Sequence, residues 1–310
     1  MKTAVLFSGQ GGQHPGMMRD LIDADPAARE LFDTASALLG RDLYALTMEG
    51  AQEELDRTEN TQPCLLACEL AAFRVYRNLD LPFNAAAGFS LGEWAALSAS
   101  GAADEETVLK LVAKRAEAMQ RAVSAGEGGM AAVLGKEESF AEALCRSIGG
   151  VWPANYNCPG NLTVSGTLAG IGRLLETAEA QGVMVSRVPV SVPSHCPLMR
   201  PAAEELRPLV QTAALRKPRL ELVMNATGRP AADPEEIREN VIRQLVQPVL
   251  FRQSVELLLS EGYEAFVEIG PGKTLSNMVR RTAKAVKAPV KLYQLHCLED
   301  LERLKSELEA

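Results

Sequence analysis

The sequence predicts an α/β protein with a mainly parallel sheet that is interrupted by a small α+β insert. Strand-like and helix-like patterns alternate through most of the 310 residues, which is typical of a parallel sheet covered by helices on both faces. A run of strand, helix, two strands, helix and strand lies in the middle of the chain. A G-x-S-x-G pattern at residues 88–92 joins a strand to a helix.

Apolar runs bounded by glycine and proline place the elements of the first part. A short strand opens the chain and leads into a glycine-rich turn, and a second strand follows Pro82. Predicted strands cover residues 3–7 and 85–88, and predicted helices cover residues 26–39 before Gly40, residues 61–73, a segment from Glu93 that ends at Gly101, and residues 104–123.

The middle of the chain follows a different order of elements. Predicted strands cover residues 130–134, 151–156, 161–165 and 183–190, and predicted helices cover residues 137–147 and 168–181. This is the β-α-β-β-α-β order of the ferredoxin-like split motif. We therefore predict a small domain over residues 125–192 and a large domain formed by residues 1–124 and 193–310.

The large domain continues with alternating elements after the insert, which again indicates a parallel sheet. Predicted strands cover residues 220–224, 265–269 and 290–295, and predicted helices cover residues 234–245, 249–259 and 274–282.

Composition excludes several classes of protein. The net charge of -8 argues against nucleic acid or an anionic membrane as the main partner. The chain has no apolar run long enough for a membrane helix and no N-terminal signal, which predicts a cytoplasmic protein. The six cysteines form no C-x-x-C pair, so neither a disulfide framework nor a zinc site is predicted.

The G-x-S-x-G segment predicts a nucleophile elbow of the kind found in an α/β-hydrolase-like domain. A sharp turn between strand and helix would force a strained backbone at Ser90, and the glycines at 88 and 92 would avoid clashes. The amide of Leu91 would lie at a helix N-terminus, where an unpaired N–H can stabilise an oxyanion. The alternative is an ordinary glycine–serine turn.

The first strand ends in a glycine-rich turn, Ser8-Gly9-Gln10-Gly11-Gly12-Gln13. This turn is neither a G-x-G-x-x-G fingerprint nor a phosphate-binding loop, which needs G-K-[ST]. We predict a loop that lends an amide or a side chain to a site built elsewhere. The alternative is a plain connection between a strand and a helix.

Arg115 lies on the apolar face of the predicted helix over residues 104–123. It follows Leu111 by four residues and precedes Met119 by four. A buried guanidinium must be paired, and its planar fork suits a carboxylate. That carboxylate could belong to the protein or to a substrate.

His195 lies where the chain re-enters the large domain, between Pro193 and Pro197. Two flanking prolines would hold a general base in place. The alternative is a histidine on a surface loop.

Taken together, these segments show that the sequence resembles the bacterial malonyl-CoA:acyl-carrier-protein transacylases, and by extension the acyltransferase domains of polyketide and fatty acid synthases. The resemblance covers essentially the full chain. Its landmarks are Gly9-Gln10-Gly11 with Gln13, Thr61-Gln62-Pro63, residues 88–93, Arg115 with Met119-Gln120, residues 155–160, residues 190–196, Gln244-Leu245 with Pro248-Val249, and residues 268–273.

The resemblance implies a role for each catalytic candidate. Ser90 would take the acyl group from a coenzyme A thioester, and His195 would act as general base and then as acid. A backbone carbonyl at the position of Gln244 would orient the histidine in place of an aspartate.

The resemblance also implies how the acyl group is held. The amides of Gln10 and Leu91 would form the oxyanion hole, and Arg115 would bind the free carboxylate of malonate. The family usually has histidine where this chain has Phe89, which we expect to alter the shape or polarity of the acyl pocket. It also often has proline in place of Ser8 and serine in place of Gly12.

The expected activity is ping-pong transfer of malonyl from malonyl-CoA to the phosphopantetheine thiol of an acyl carrier protein, for fatty acid biosynthesis. No metal or redox cofactor is implied, and a monomer is expected. The alternatives are an acyltransferase of a polyketide or malonate decarboxylase system, a serine thioesterase or esterase, and an inactive scaffold.

Overall fold

The computed structural model describes residues 1–124, 126–190 and 192–308. Within these residues the chain forms ten strands and fourteen α-helices. The strands are β1 Lys2–Phe7, β2 Ala85–Gly88, β3 Gly128–Leu134, β4 Val151–Cys158, β5 Asn161–Thr167, β6 Met184–Val188, β7 Glu221–Met224, β8 Arg229–Pro230, β9 Tyr263–Ile269 and β10 Lys291–Leu295. The helices are α1 Arg19–Ala24, α2 Pro26–Leu39, α3 Leu43–Glu49, α4 Gln52–Leu55, α5 Thr58–Arg77, α6 Gly92–Ala99, α7 Glu105–Ala122, α8 Glu138–Ile148, α9 Leu168–Ala180, α10 Arg200–Thr212, α11 Pro234–Val246, α12 Phe251–Ser260, α13 Thr274–Val286 and α14 Leu298–Leu308.

The larger sheet has six strands in the order β10-β9-β1-β2-β7-β8, all parallel except for β8, which pairs antiparallel with β7. Strand β1 is central, and its side chains alternate between two cores. Val5 and Phe7 pack into the core on one face, and Ala4 and Leu6 pack into the core on the other. Burial on both faces explains why this strand is a continuous apolar run.

The smaller sheet has four antiparallel strands in the order β4-β5-β3-β6. Helices α8 and α9 bury their apolar faces on it, with Ile171 and Leu174 in the same core as Ala131 and Val133. The chain order is the predicted β-α-β-β-α-β. The prediction of an α/β protein with a mainly parallel sheet and a second, small sheet is therefore confirmed.

Strand β4 is tied to the larger part of the chain just before α12. Val249 forms a parallel bridge with Asn155, donating its N–H to the Ala154 carbonyl at 2.8 Å. The Tyr156 N–H returns a bond to the Val249 carbonyl at 2.9 Å. The small sheet is thus held against the carboxyl edge of the larger one, which positions its residues over Ser90.

Most predicted elements are present, with shifted ends. Helix α2 ends where predicted because Gly40 adopts a left-handed φ of 65°. Helix α5 begins at Thr58 rather than residue 61, and α12 begins at Phe251 rather than residue 249, since Val249 is engaged by β4. Position 125, a predicted domain boundary, and Ser191 of the 190–196 segment lie outside the described residues.

Several elements had no counterpart in the sequence prediction. They are α1, α3, α4, α10, α14, β8 and a short 3-10 helix at Pro197–Met199. Among the described residues, no helix combines the length and the apolar character needed to cross a membrane.

Candidate active site

Ser90 lies on a sharp turn between β2 and α6, with a left-handed φ of 54°. The two flanking glycines are sterically required. A Cβ on Gly88 would lie 2.0 Å from the carbonyl carbon of Gly92, and a Cβ on Gly92 would lie 2.2 Å from the carbonyl oxygen of Phe7. The turn is therefore the strained elbow that the sequence predicts, and it presents the Ser90 hydroxyl beyond the end of β2.

Asn225 fixes this elbow from the end of the neighbouring strand β7. Its Oδ1 accepts the Ser90 N–H at 2.7 Å, and its Nδ2 donates to the Gly88 carbonyl at 2.6 Å. Sequence reasoning missed this residue. The available signal was a polar side chain directly after a buried apolar strand, at the carboxyl edge where α/β sheets place their sites.

His195 faces Ser90 from the segment that follows the small sheet. Its Nε2 lies 2.7 Å from the Ser90 Oγ, and its Nδ1 lies 2.7 Å from the backbone carbonyl of Gln244. The residue has a left-handed φ of 61° and is 2% exposed, so the alternative of a surface-loop histidine is wrong.

The carbonyl of Gln244 selects the tautomer of this histidine. A carbonyl can only accept, so Nδ1 carries the hydrogen and Nε2 is left to accept the hydroxyl proton of Ser90. The pKa of His195 is lowered to about 4, mainly by burial, with the bond to the Gln244 carbonyl acting to raise it and the Arg115 charge acting to lower it. The imidazole is therefore neutral at physiological pH.

Arg115 lies behind Ser90 and is fully buried. Helix α7 starts after Asp104, whose side chain caps the Thr107 N–H, and its apolar face carries Arg115 inward. One Nη donates to the Gln62 Oε1 at 2.5 Å, and the other donates to the Gln244 Oε1 at 2.9 Å and to the Ser90 Oγ at 3.3 Å.

The acceptors around Arg115 are neutral. Among the described residues, no carboxylate forms an ion pair with it, and its Nε has no hydrogen-bond partner. Burial lowers its pKa to about 10, which keeps the guanidinium charged at physiological pH, while the charge of Glu93 acts in the opposite direction. The predicted alternative of a directly bonded protein carboxylate is therefore not what the structure contains.

Gln244 connects three of these groups. Its backbone carbonyl accepts from the His195 Nδ1, and its Oε1 accepts from the Arg115 guanidinium. Its Nε2 donates to the Ser90 carbonyl at 2.8 Å. Only the carbonyl contact was expected from the sequence. The side-chain contacts could not be anticipated, because they depend on the packing of α11 beneath the elbow.

Gln10 and Leu91 are the two predicted oxyanion-hole residues. Gln10 lines the same cleft as Ser90, and its side chain donates to the Thr58 hydroxyl at 3.4 Å. Leu91 is the N-cap residue of α6. In the described parts of the chain, neither backbone N–H has a protein acceptor, so both remain available as donors.

The cleft over Ser90 has a volume of about 170 Å³ and lies between the two sheets. Phe89 forms part of its wall and packs edge-on against Phe251 with ring centroids 5.5 Å apart. The lining residues are Gln10, Thr58, Phe89, Ser90, Met130, Asn155, Asn157, Thr163, Val188, Val190, Val192, Ser194, His195, Thr274 and Met278. Arg115 is not part of this wall and reaches it through the Ser90 hydroxyl.

A larger groove, of about 620 Å³, lies between α2, α7 and α10. It contains neither Ser90 nor His195. Away from the cleft, His296, Cys297 and Asp300 place potential metal-ligand atoms within 4.8 Å of one another, the one such group in the described residues, and His296 already pairs with the Asp300 carboxylate. The larger groove and the cluster of potential metal ligands therefore both lie away from Ser90 and His195.

A serine on a strained strand-to-helix turn, with a neutral histidine on its hydroxyl, is typical of α/β enzymes that act on acyl groups. The acyl transferase domain family matches residues 5–298, and the chain belongs to this family.

Individual relatives agree with this assignment. The malonyl CoA-acyl carrier protein transacylase of Bacillus subtilis is 38% identical over 294 residues, which is 92% of each chain. The structure of the malonyl CoA-acyl carrier protein transacylase from Coxiella burnetii superimposes with a TM-score of 0.95 at 36% identity, covering 100% of this chain and 98% of that one. A malonyl-transacylase solved in complex with its type II PKS acyl-carrier protein gives a TM-score of 0.94 at 33% identity, covering 99% of each chain.

Proposed function

We propose that this protein transfers the malonyl group from malonyl-CoA to the phosphopantetheine thiol of an acyl carrier protein, for fatty acid biosynthesis. The observation that carries the proposal is the buried Arg115 guanidinium, which touches the Ser90 hydroxyl and has only neutral hydrogen-bond acceptors. An acyl group on Ser90 that ends in a carboxylate would find its counter-ion within reach. The related malonyl CoA-acyl carrier protein transacylase and malonyl-transacylase point the same way.

The first half-reaction acylates Ser90. The His195 Nε2 takes the hydroxyl proton as the Ser90 oxygen attacks the thioester carbonyl, and the Gln10 and Leu91 N–H groups receive the developing oxyanion. The tetrahedral intermediate collapses with cleavage of the carbon–sulfur bond. The imidazolium of His195 returns its proton to the departing CoA thiolate.

The second half-reaction reverses these steps with a different thiol. His195 takes the proton of the phosphopantetheine thiol, whose sulfur attacks the malonyl-serine ester, and the proton then returns to the Ser90 oxygen. Every proton moves between groups already in the site, so the proposed reaction uses no metal or redox cofactor.

The finer description of the molecule belongs to the same proposal. We infer an α/β-hydrolase-like large domain over residues 1–124 and 193–310, with a ferredoxin-like small domain over residues 125–192. We also infer a monomer that works in the cytoplasm and meets its acidic carrier protein at the mouth of the cleft between the two sheets.

Intact mass spectrometry tests the function directly. The protein is mixed with malonyl-CoA alone and then with a phosphopantetheinylated carrier protein, from either a fatty acid or a type II PKS system. A malonyl adduct on the protein that moves to the fatty acid carrier supports the proposal. Transfer only to the PKS carrier would assign the alternative pathway, and release of free malonate without transfer would assign a hydrolase.

A further inference from the structure

Glu93 is a fully buried carboxylate three residues after Ser90 that the proposed reaction steps do not use. It lies in the first turn of α6, where one oxygen accepts the Asn225 N–H and the other accepts the Gln244 Nε2 at 2.9 Å. Burial raises its pKa to about 8, although both hydrogen bonds and the charge of Arg115 act to lower it.

A single amide connects Glu93 to Arg115. The Gln244 Oε1 accepts from the guanidinium, and the Gln244 Nε2 donates to the Glu93 carboxylate. The two ionisable groups are therefore bridged, without a direct ion pair. Glu93 is the negative charge that acts on buried Arg115, and Arg115 is the charged group that acts on Glu93 among the described residues.

As far as the structure describes the chain, the other elements packed against α6 contribute no second buried cation. Strands β1, β2 and β7 contact the helix, and their charged residues are engaged elsewhere: Lys2 donates to the Glu261 carbonyl, and Glu221 accepts from the Tyr263 hydroxyl. The buried Glu69 of α5 accepts instead from Ser8, and the charge acting on it comes from Glu268. His195 joins the network through the Gln244 carbonyl and through the Ser90 hydroxyl, which also accepts from Arg115. In the described parts of the chain, Arg115 is thus the one fully buried Lys or Arg.

We propose that Glu93 is a specificity-determining residue: it is the resident carboxyl group opposite Arg115, and in its ionised form it takes up a proton from solvent when a substrate carboxylate binds to that arginine. This inference rests on the proposed function, since it requires an acyl group with a free carboxylate. Before binding, the site holds one cation and one ionisable carboxyl group. After binding, the substrate supplies the negative charge, and a second buried anion would lack a partner.

The direction of the pH effect follows from this exchange. A substrate carboxylate at Arg115 raises the pKa of Glu93 above its free value of about 8. Below about pH 7 the Glu93 carboxyl is already protonated, so malonyl binding is accompanied by little proton uptake. Above about pH 8 it is ionised in the free protein, and binding a malonyl group requires a proton. Malonyl affinity then falls by up to about tenfold per pH unit, the limit for one linked proton.

The other titratable groups of the site lie outside this range. The pKa of His195 is lowered to about 4 and that of Arg115 to about 10. At pH 8.5 the imidazole remains neutral and the guanidinium remains charged, with or without substrate. Proton uptake at this pH is therefore assigned to Glu93.

Isothermal titration of the Ser90→Ala protein measures the proton directly, because this variant binds malonyl-CoA without turnover. Titrations at pH 8.5 in buffers of different ionisation enthalpy should give uptake of most of one proton with malonyl-CoA. Acetyl-CoA, which has the same CoA portion and no free carboxylate, should give none, and the difference should vanish at pH 6.5. If malonyl-CoA and acetyl-CoA took up the same number of protons at pH 8.5, the proposal would be overturned.

Variants assign the proton to one residue. Adding Glu93→Gln to Ser90→Ala should abolish the malonyl-specific uptake, whereas Glu117→Gln, at a partly exposed residue of α7 paired with Lys114, should leave it unchanged. Should Glu93→Gln fail to fold, the unmodified protein still decides: its ratio of kcat/KM for malonyl-CoA over acetyl-CoA must fall as pH rises through 8. A flat ratio would refute the role of Glu93, whereas absence of malonyl transfer at every pH would refute the proposed function itself.

Discussion

The Nδ1 of His195 lies 2.7 Å from the backbone carbonyl of Gln244, so a neutral acceptor stands where many serine enzymes place a carboxylate. The carbonyl fixes the tautomer and the ring orientation as a carboxylate would. It supplies no negative charge, however, and the Arg115 charge disfavours the imidazolium. The consequence is a histidine that stays neutral and ready to accept a proton far below the usual histidine range.

This geometry predicts an acylation rate that does not fall near pH 6.5. The pKa of His195 is lowered to about 4 in the folded protein, so the neutral base persists as pH falls to that value. We expect kcat/KM for malonyl-CoA to stay flat between pH 7.5 and 5.5, measured by stopped-flow or quenched single turnover. A midpoint near 6.5 would mean that His195 is not buried as described.

The same shift affects stability. Because the folded pKa lies below the unfolded value of about 6.5, the unfolded chain binds more protons between these pH values. The stabilisation associated with neutral His195 is complete above pH 6.5 and is lost as pH falls toward 4. The melting temperatures of the wild-type protein and of His195→Gln should therefore converge or cross as the pH is lowered.

Replacement of Ser90 by alanine should abolish the covalent adduct. The hydroxyl is the group that meets His195 at 2.7 Å, and no other serine makes a contact with that ring in the described residues. Intact mass after mixing with malonyl-CoA gives the readout. Ser260→Ala, at the exposed end of α12 where the hydroxyl only caps the Leu257 carbonyl, serves as control and should label fully. A malonyl adduct on the Ser90→Ala protein would show that Ser90 is not the acylated residue.

Arg115→Ala should reduce kcat/KM for malonyl-CoA by at least about a hundredfold, since loss of one partner of a buried charge pair costs roughly 2–5 kcal/mol. Acetyl-CoA has no carboxylate to lose, so its relative rate should rise. Arg121→Ala, in the last turn of the same helix and exposed, removes a surface pair with Glu205 and should change neither. Equal losses with both substrates would exclude a carboxylate role for Arg115.

The sequence identified the parts of the site that depend on local chain chemistry. Two glycines around Ser90 predict the elbow, and Arg115 can be recognised as a charged residue on an apolar helix face. His195 and Gln244 are different: they lie 105 and 154 residues from Ser90, and only the resemblance to a family linked them to it. Asn225 was missed, because nothing local shows that a strand end will support a turn 135 residues away.

The glycines of the chain predict opposite outcomes for one substitution. A Cβ on Gly92 would lie 2.2 Å from the Phe7 carbonyl oxygen, so Gly92→Ala should destabilise the fold by about 1–3 kcal/mol and displace Ser90. A Cβ on Gly172, within α9, meets nothing within 4 Å, so Gly172→Ala should stabilise by about 0.5–1 kcal/mol. Urea unfolding of the two variants measures both. Similar changes in the free energy of unfolding for the two variants would contradict the close approach of α6 to β1.

Asn225→Ala should lower both stability and activity, although the side chain takes no part in the proton transfers. It leaves the half-buried Ser90 N–H and the buried Gly88 carbonyl without these partners, and the loss of such bonds costs about 1–3 kcal/mol. The elbow would then be free to move, and a shift of about 1 Å in a nucleophile can cost roughly a hundredfold in rate. Asn277→Ala, an exposed residue whose carbonyl oxygen accepts only from Arg280, controls for loss of an asparagine.

Two measurements on Asn225→Ala separate support of the elbow from general stability. The acylation rate is taken well below the melting temperature, where both variants are fully folded, and the malonyl adduct is followed with time. Slow acylation by a fully folded Asn225→Ala protein would show that this side chain positions Ser90. A normal rate with a lowered melting temperature would instead mean that the glycine-bounded turn holds the nucleophile without help from β7.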